Sequence, residues 1–358
     1  ALRYARRPIL YLGGGVSTSG ASRAAGALAR RAGIPVVTSL MGLGAFPAED
    51  PLFLGMIGMH GSRRANLALE QCDLLIAVGA RFNDRTTGRI NAFCPKATVA
   101  HIDIDARELG KICAPQIAVA ADARAALEAL LPRAASNERK DWLREIDALG
   151  PKPLVRHSDP SHPLSRIRQI GELMGDDATI VTDVGQHQMW TAMAYPHRRA
   201  GHWVTSGGLG TMGFGLPAAI GTALARPDSP TVCVTGDGSL MMNIQELATL
   251  AETGANVKIF LMNNGHLGLV RQQQELFFEE RTFAVKFQNA VDFCAIARGF
   301  GLPVFRLGAD GDADELAEVL KNQGPALIEC PVAWRENVYP MVPPGGANRQ
   351  MLEDCVVS

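Results

Sequence analysis

The sequence predicts an α/β protein made of two doubly wound domains, each built on a mostly parallel sheet. Short, continuous apolar segments alternate with helix-like segments in both halves of the chain, which is typical of parallel sheets covered by helices on both faces. The 358 residues suffice for two domains of about 150 residues each. A composition of 47% hydrophobic and 20% charged residues provides a sizeable core.

The first predicted domain, residues 1–131, is of a nucleotide-binding type. Its predicted elements are strand Pro8–Leu12, helix Ser22–Ala32, strand Pro35–Thr38, helix Arg63–Gln71, strands Asp73–Val78 and Thr98–Ile104, and helix Ala123–Leu131. Glycines and polar residues follow several of these strands. In an open parallel sheet, the turns at the carboxyl ends of the strands form the ligand-binding edge.

A linker is predicted at residues 132–163, where five prolines flank a charged helix at about 138–149. The second predicted domain, residues 164–358, resumes the alternation and ends in a C-terminal arm rich in proline and glycine. Its predicted elements are strand Thr179–Thr182, a glycine-rich segment at 207–221, strand Thr231–Thr235, a helix from about Asn243 to Glu252, strand Val257–Met262, helices around 296–300 and 316–320, and strand Ala326–Glu329. The helix that follows Thr231–Thr235 is expected to place Ile244, Leu247, Ala248 and Ala251 on one face.

Bulk properties exclude several classes of function. The formal charge of −1 provides no basic surface for nucleic acid or an acidic membrane, and no apolar stretch reaches the length of a membrane span. The seven cysteines are scattered without a C-x-x-C pair, which favours a reducing, cytoplasmic location of bacterial type. The chain begins at Ala1 without an initiator methionine or a signal peptide, so we expect a fragment or a processed chain and leave targeting open.

Two polar residues follow neighbouring strands of the second domain. Asp237 comes after strand Thr231–Thr235, within a G-D-G-S turn, and Asn264 comes after strand Val257–Met262. Because parallel strands share their carboxyl edge, the two side chains are expected to approach one another there. A carboxylate and an amide oxygen, together with phosphate oxygens, are hard ligands of the kind that Mg²⁺ takes. The G-D-G turn alone is equally compatible with an ordinary βα connection.

The run from Gly236 to Asn264 resembles the signature of thiamine-diphosphate enzymes, and nearly the whole chain is similar to the acetolactate synthase family. Segments 182–190, 206–221 and 340–348 resemble loops and the C-terminal arm of that family. The resemblance implies that Asp237, Asn264 and the backbone carbonyl of His266 bind Mg²⁺, while the His266 side chain faces solvent. The implied thiamine-diphosphate contacts are Gln186, His187, Gly210, Met212, Gly236, Gly238, Ser239 and Leu269, with Met212 beneath the bent cofactor.

The resemblance also implies a flavoprotein that binds FAD in the first domain, where FAD has no redox role in the overall reaction. The implied FAD contacts are Gly13, Gly14, Gly15, Ser39, Leu40, Gly58, Met59, His60, Gly79, Arg81, Asp103, Ile104, Asp122 and Ala123. Arg85 and Gln273 are the implied substrate contacts. Arg85 is expected near the carboxylate of the second keto acid, and the presence of Gln273 predicts little preference between pyruvate and 2-ketobutyrate as the acceptor. The chain departs from the family at Asn83, where an aspartate is usual.

The function that the resemblance implies is that of an acetolactate synthase catalytic subunit. Such a transferase decarboxylates pyruvate on thiamine diphosphate and transfers the hydroxyethyl unit to a second pyruvate or 2-ketobutyrate, the first shared step of branched-chain amino acid biosynthesis. In that family the activating glutamate belongs to an N-terminal pyrimidine-binding domain, for which the sequence contains no candidate, so we expect this fragment alone to be inactive. The implied partners are further copies, as a homodimer or homotetramer, and a small regulatory subunit.

Two alternatives stay open. Other thiamine-diphosphate enzymes, such as 2-keto acid decarboxylases, glyoxylate carboligases and pyruvate oxidases, share the metal motif, although segments 58–61, 79–85 and 185–190 favour acetolactate synthase. A non-catalytic flavin- or nucleotide-binding module is the second alternative. The intact pair of Asp237 and Asn264 argues against that module.

Overall fold

The computed structural model describes residues 1–150, 157–308 and 313–353. The chain forms two compact units. Unit 1 comprises the described residues of Ala1–Val155, Pro196–Gly201 and Tyr339–Ser358. Unit 2 comprises those of Arg156–Tyr195 and His202–Val338. The domain boundaries predicted from the sequence differ from these extents, since the described part of the C-terminal arm belongs to unit 1.

Unit 1 contains one six-stranded parallel sheet with the strand order β3-β2-β1-β4-β5-β6. Its strands are β1 Pro8–Leu12, β2 Val36–Thr38, β3 Phe53–Met56, β4 Leu74–Val78, β5 Thr98–Asp103 and β6 Ile117–Ala120. Its helices are α1 Gly14–Thr18, α2 Ser22–Ala32, α3 Arg63–Gln71, α4 Asp84–Thr87, α5 Ala123–Leu130 and α6 Lys140–Asp147, with 3-10 turns at Leu40–Gly42, Ile90–Ala92, Leu131–Arg133 and Asn348–Gln350. The order reverses between β1 and β4, as in a doubly wound sheet.

The central strands of unit 1 are buried along their whole length, which is why they appear in the sequence as continuous apolar runs. Helix α3 begins at a capping serine, because the side chain of Ser62 accepts a hydrogen bond from Ala65 N at 3.1 Å. Helix α6 lies in the predicted linker but packs within this unit, where Trp142 Nε1 donates to Pro8 O at 3.1 Å. The predicted linker also spans residues 151–156, which lie outside the described part of the chain.

Unit 2 contains a second six-stranded parallel sheet, with the strand order β11-β12-β10-β9-β7-β8. Its strands are β7 Thr179–Thr182, β8 Trp203–Thr205, β9 Thr231–Gly236, β10 Val257–Asn263, β11 Val304–Arg306 and β12 Ala326–Pro331. Its helices are α7 Pro163–Met174, α8 Gln186–Ala194, α9 Gly215–Ala225, α10 Asp237–Met242, α11 Glu246–Thr253, α12 Gly268–Phe277, α13 Phe293–Gly299 and α14 Ala313–Lys321. The two parallel sheets with interleaved helices confirm the predicted fold class.

The helix predicted from about Asn243 to Glu252 is wrong in its bounds and its buried face. The chain becomes helical at Asp237, breaks at Asn243 and continues as α11 from Glu246. Leu247 and Leu250 of α11 are fully buried, whereas two alanines that were expected on the same face, Ala248 and Ala251, are exposed. The three-residue offset between the two leucines sets the core face, and the small alanines offer too little apolar area to compete.

Within the described residues, none of the helices has the length and apolar character needed to cross a membrane. The cysteines described, which are all except Cys355, are free thiols.

Candidate functional site

The sheet of unit 2 has its topological switch point between β7 and β9, because the chain continues from β7 to β8 on one side and returns to β9 on the other. Ligands of open α/β sheets bind in the crevice at such a point, outside the carboxyl ends of the strands. An open cleft of about 470 Å³ lies there, and residues 184–187, 236–239, 264 and 266–270 supply most of its lining.

At this edge Asp237 binds the turn that contains Asn264. Asp237 is buried, with 3% of its surface exposed, and its two carboxylate oxygens accept hydrogen bonds from Gly238 N at 2.8 Å and Gly265 N at 2.6 Å. The Asn264 side-chain oxygen accepts from His266 N at 2.9 Å. Burial raises the pKa of Asp237, while the two backbone donors lower it. The predicted approach of these two residues is therefore present in the fold.

Gln186 and His187 begin helix α8, which corrects the prediction of a loop at this position. The Gln186 side chain connects three elements. Its Nε2 donates to Gln272 Oε1 at 3.0 Å and to Glu336 O at 2.8 Å, and its Oε1 accepts from Asn264 Nδ2 at 3.3 Å. The Gln186 side chain is thus anchored beside the Asn264 amide rather than free on the surface.

The imidazole of His187 lies between two glycines at the switch point. A Cβ at Gly185 would be 2.7 Å from His187 Cε1, and a Cβ at Gly236 would be 2.9 Å from His187 Nδ1. Burial lowers the pKa of His187 to about 3, so the ring is neutral near pH 7. Its Nε2 is buried and has no hydrogen-bond partner among the described residues, which is costly unless a ligand or water supplies one.

The remaining predicted cleft residues form an apolar wall and a glycine turn. Met212 and Leu269 line the cleft, and a Cβ at Gly238 would meet the Met212 methyl at 3.5 Å. Ser239 is buried, and its hydroxyl donates to Val184 O at 2.8 Å. Gly210 is exposed and adopts a left-handed conformation with φ of +69°.

The side chain of His266, which the sequence predicts to face solvent, is half-buried. Its ring stacks on Trp334 with a centroid distance of 5.3 Å and an interplanar angle of 16°, and its Nδ1 lies 2.9 Å from Asn264 O. These contacts orient the turn that carries the His266 carbonyl.

Sequence reasoning missed two buried residues that organise the cleft. Asp183, 1% exposed, accepts hydrogen bonds from Val184 N, Gly213 N and Gly215 N at 2.8–2.9 Å, and so joins the end of β7 to the glycine-rich segment. Gln272 is fully buried; it donates to Val338 O at 2.9 Å and accepts from Gln186. An acidic residue directly after a buried strand was a usable signal for Asp183, whereas none was available for Gln272.

In unit 1, the fourteen residues predicted to contact FAD all lie at or just after the carboxyl ends of the six strands. The glycines at its switch point pack against each other, since a Cβ at Gly13 would be 2.0 Å from Gly79 O. His60 is buried, and its Nδ1 lies 2.9 Å from Pro340 O. Its Nε2 has no partner in the part of the chain that the structure describes, and burial lowers the pKa of the ring to about 4. Asp122 caps helix α5 by accepting from Ala125 N at 3.0 Å.

The two predicted substrate residues lie in different units. Arg85 is exposed on the short helix α4 of unit 1, and Gln273 is half-buried on α12 of unit 2.

Comparisons with known proteins match both units. Residues 1–130 match the family described as thiamine pyrophosphate enzyme, central domain, and residues 183–330 match thiamine pyrophosphate enzyme, C-terminal TPP binding domain. The chain is 49% identical to the acetolactate synthase isozyme 1 large subunit of Escherichia coli (strain K12) over 97% of its own length and 62% of the relative. It is 42% identical to the isozyme 2 large subunit of the same organism (98% and 64%) and to acetolactate synthase 2, chloroplastic, of Zea mays (98% and 57%). The chain therefore spans about three-fifths of these relatives.

Proposed function

The chain belongs to the thiamine pyrophosphate enzymes, as a homologue of acetolactate synthase large subunits, and we propose that it forms the cofactor-binding part of an acetolactate synthase catalytic subunit. The proposed reaction is decarboxylation of pyruvate and transfer of its two-carbon unit to a second pyruvate or to 2-ketobutyrate. One observation supports this most strongly: Asp237, Asn264, Gln186 and His187 converge at the switch point of unit 2.

The donors at this edge fit a diphosphate with its Mg²⁺. The unpartnered Nε2 of His187 is a buried polar atom that an anionic ligand would satisfy. In the neutral ring only one nitrogen carries a proton. A diphosphate that accepts a hydrogen bond from Nε2 therefore favours the tautomer with the proton on Nε2, or the imidazolium. Asp237 and Asn264 supply a carboxylate and an amide oxygen, and the carbonyl of His266 is the proposed third protein ligand. Gln186, Gly210, Gly236, Gly238 and Ser239 complete the proposed diphosphate contacts.

Thiamine diphosphate, when bound, supplies the electron sink for decarboxylation and carbon–carbon bond formation. The residues of this chain bind and orient it. Met212 and Leu269 give the cleft an apolar wall that excludes water from the reacting end, and Asp183 fixes the glycine-rich segment that carries Met212. We propose Arg85 for the carboxylate of the second keto acid, since its planar, permanently charged guanidinium is suited to it.

FAD is proposed for the carboxyl edge of the sheet in unit 1. Support comes from the strand order of a dinucleotide-binding sheet and from the buried, unpartnered Nε2 of His60 at that edge. Gln273 is proposed to give little preference between the two acceptor acids. A small regulatory subunit, a dimer or tetramer of large subunits, and a cytoplasmic location remain parts of the proposal.

Titration calorimetry of the 358-residue polypeptide with thiamine diphosphate tests the binding part of the proposal. We expect binding that requires Mg²⁺, and absence of binding at millimolar cofactor would refute it. The same polypeptide is expected to form no acetolactate from pyruvate, because the activating glutamate of the family belongs to a domain outside these residues. For the full-length protein, acetolactate as the main product supports the proposal, whereas acetaldehyde or acetyl phosphate supports another thiamine-diphosphate enzyme.

A further inference from the structure

A buried carboxylate on strand β12 lies behind the edge of the sheet that carries Asn264. Glu329 is 5% exposed, and each of its two carboxylate oxygens accepts a hydrogen bond from a different residue. Its Oε1 accepts from Asn263 Nδ2 at 2.8 Å, and its Oε2 accepts from Arg306 Nε at 2.7 Å and lies 3.3 Å from the Cys294 thiol. None of these four residues belongs to the lining of the cleft.

Asn263, the last residue of strand β10, and Asn264, which follows it, have different partners. The Asn264 amide donates to Gln186 and accepts from His266 N at the cleft. Asn263, one residue earlier, donates to Glu329, because successive side chains of a strand point to opposite faces. The Asn263 side-chain oxygen lies 3.3 Å from Gly265 N, whose main acceptor is Asp237 at 2.6 Å. The side chains of Asn263 and Asp237 thus both contact the backbone N–H of Gly265 in the turn.

We propose that Glu329 is a positioning residue for the metal and diphosphate site, acting through Asn263 on the turn that presents Asn264. The inference rests on the proposed function for the identity of the bound group. Arg306 only donates hydrogen bonds, so it reserves one Glu329 oxygen and leaves the other for the Asn263 amide. The Asn263 amide is thereby oriented with its nitrogen toward β12 and its oxygen toward Gly265 N.

This polarity predicts the outcome of three substitutions. In Glu329→Gln, the single amide oxygen serves Arg306, and the amide nitrogen then faces the donating nitrogen of Asn263. In Asn263→Asp, two carboxylates face one another in a buried place. In the double variant Asn263→Asp/Glu329→Gln, the amide nitrogen at 329 donates to the carboxylate at 263, and every hydrogen bond of the network is retained with its direction reversed at one contact.

Two measurements test the proposal. The first is the affinity for thiamine diphosphate at saturating Mg²⁺, which we expect to fall about 10–100-fold in each single variant and to return to within about threefold in the double variant. The second is amide hydrogen exchange of residues 263–268 without any cofactor, which we expect to become faster in each single variant and normal in the double variant. The matched control is Glu252→Gln, which removes an exposed carboxylate from the same unit.

The outcomes separate the two proposals. A wild-type chain that binds no thiamine diphosphate refutes the proposed function, while hydrogen exchange still decides whether the network holds the turn. Glu329→Gln with wild-type affinity and exchange overturns the inference. So does a double variant that does not fold, or that stays tenfold weaker than wild type. If the single variants do not fold, a folded double variant with wild-type affinity supports the network, since it has the same two changes combined.

Discussion

Two buried histidines make the protein sensitive to mild acid. Burial lowers the pKa of His187 in unit 2 to about 3 and that of His60 in unit 1 to about 4, from an ordinary value of 6.5. A folded pKa below the unfolded value means that the unfolded state takes up the proton first. The stabilising contribution of each neutral ring is therefore complete above pH 6.5 and is lost as the pH falls toward the folded pKa.

The magnitude follows from the pH window. Between pH 7 and pH 5 the unfolded chain protonates each of these imidazoles while the folded chain does not, which costs about 2 kcal/mol of unfolding free energy for each histidine. His60 and His187 are 4% and 6% exposed, so solvent screening reduces this little. Against a typical domain stability of about 5–15 kcal/mol, either loss is large enough to measure.

The assay is urea unfolding followed by circular dichroism at pH 7 and at pH 5, for the wild type, His60→Asn and His187→Asn. Asparagine retains a donor near the position of Nδ1 but does not titrate. Each variant is expected to lose about 2 kcal/mol less than the wild type between the two pH values, and each serves as a control for the other. Comparison with the wild type also cancels other groups, such as Asp183 and Asp237, whose pKa is raised by burial. A His187→Asn chain that loses as much stability as the wild type would refute the reasoning.

Three further predictions concern unit 2. Asp237→Ala is expected to weaken Mg²⁺-dependent binding of thiamine diphosphate on the order of 100-fold in calorimetry, and an unchanged affinity would contradict its role as a ligand. Gly236→Ala places a Cβ 2.9 Å from the imidazole of His187, so we expect the free energy of unfolding in urea to fall by about 1–3 kcal/mol. The control is Gly221→Ala in helix α9, whose Cβ meets open space and which should remain stable. Lys258→Met is expected to lower the free energy of unfolding by about 2–4 kcal/mol, because this buried ammonium donates to two backbone carbonyls after helix α14. Cofactor affinity should be unchanged. A variant as stable as the wild type would contradict this structural role of Lys258.

The elements predicted best from the sequence are those whose burial is regular. Strands β1 and β7 and helices α2 and α3 have the predicted bounds, because their apolar runs are continuous or periodic and their ends carry clear signals. Helix α8 was missed for the opposite reason. Its residues are buried nearly all round, polar ones included, so the sequence has no helical period to detect. Strand β8 was also missed, because its three residues are too few to show an alternating pattern.

At the candidate site, proximity within one βαβ unit was predictable, and long-range hydrogen bonding was not. Asp237 and Asn264 end neighbouring parallel strands, so the topology alone brings them to one edge. The contacts of Asp183 with Gly213 N and Gly215 N connect residues about thirty positions apart, and those of Gln272 span more than sixty. Such contacts depend on the path of the intervening chain, which local patterns do not define.

The switch points of the two units use glycine in different ways, which limits what a glycine motif alone can predict. In unit 1 the missing side chains of Gly13 and Gly79 let two backbone turns touch, so close packing already explains these glycines. In unit 2 the space at Gly185 and Gly236 is occupied by a polar ring, that of His187, which has an unsatisfied nitrogen. The glycines of unit 2 thus lie beside a buried polar group in need of a ligand, whereas the comparable atom of unit 1, His60 Nε2, follows β3 and lies away from the switch-point glycines in sequence. At a switch point, the unsatisfied atom, rather than the glycine, is the stronger evidence for a binding site.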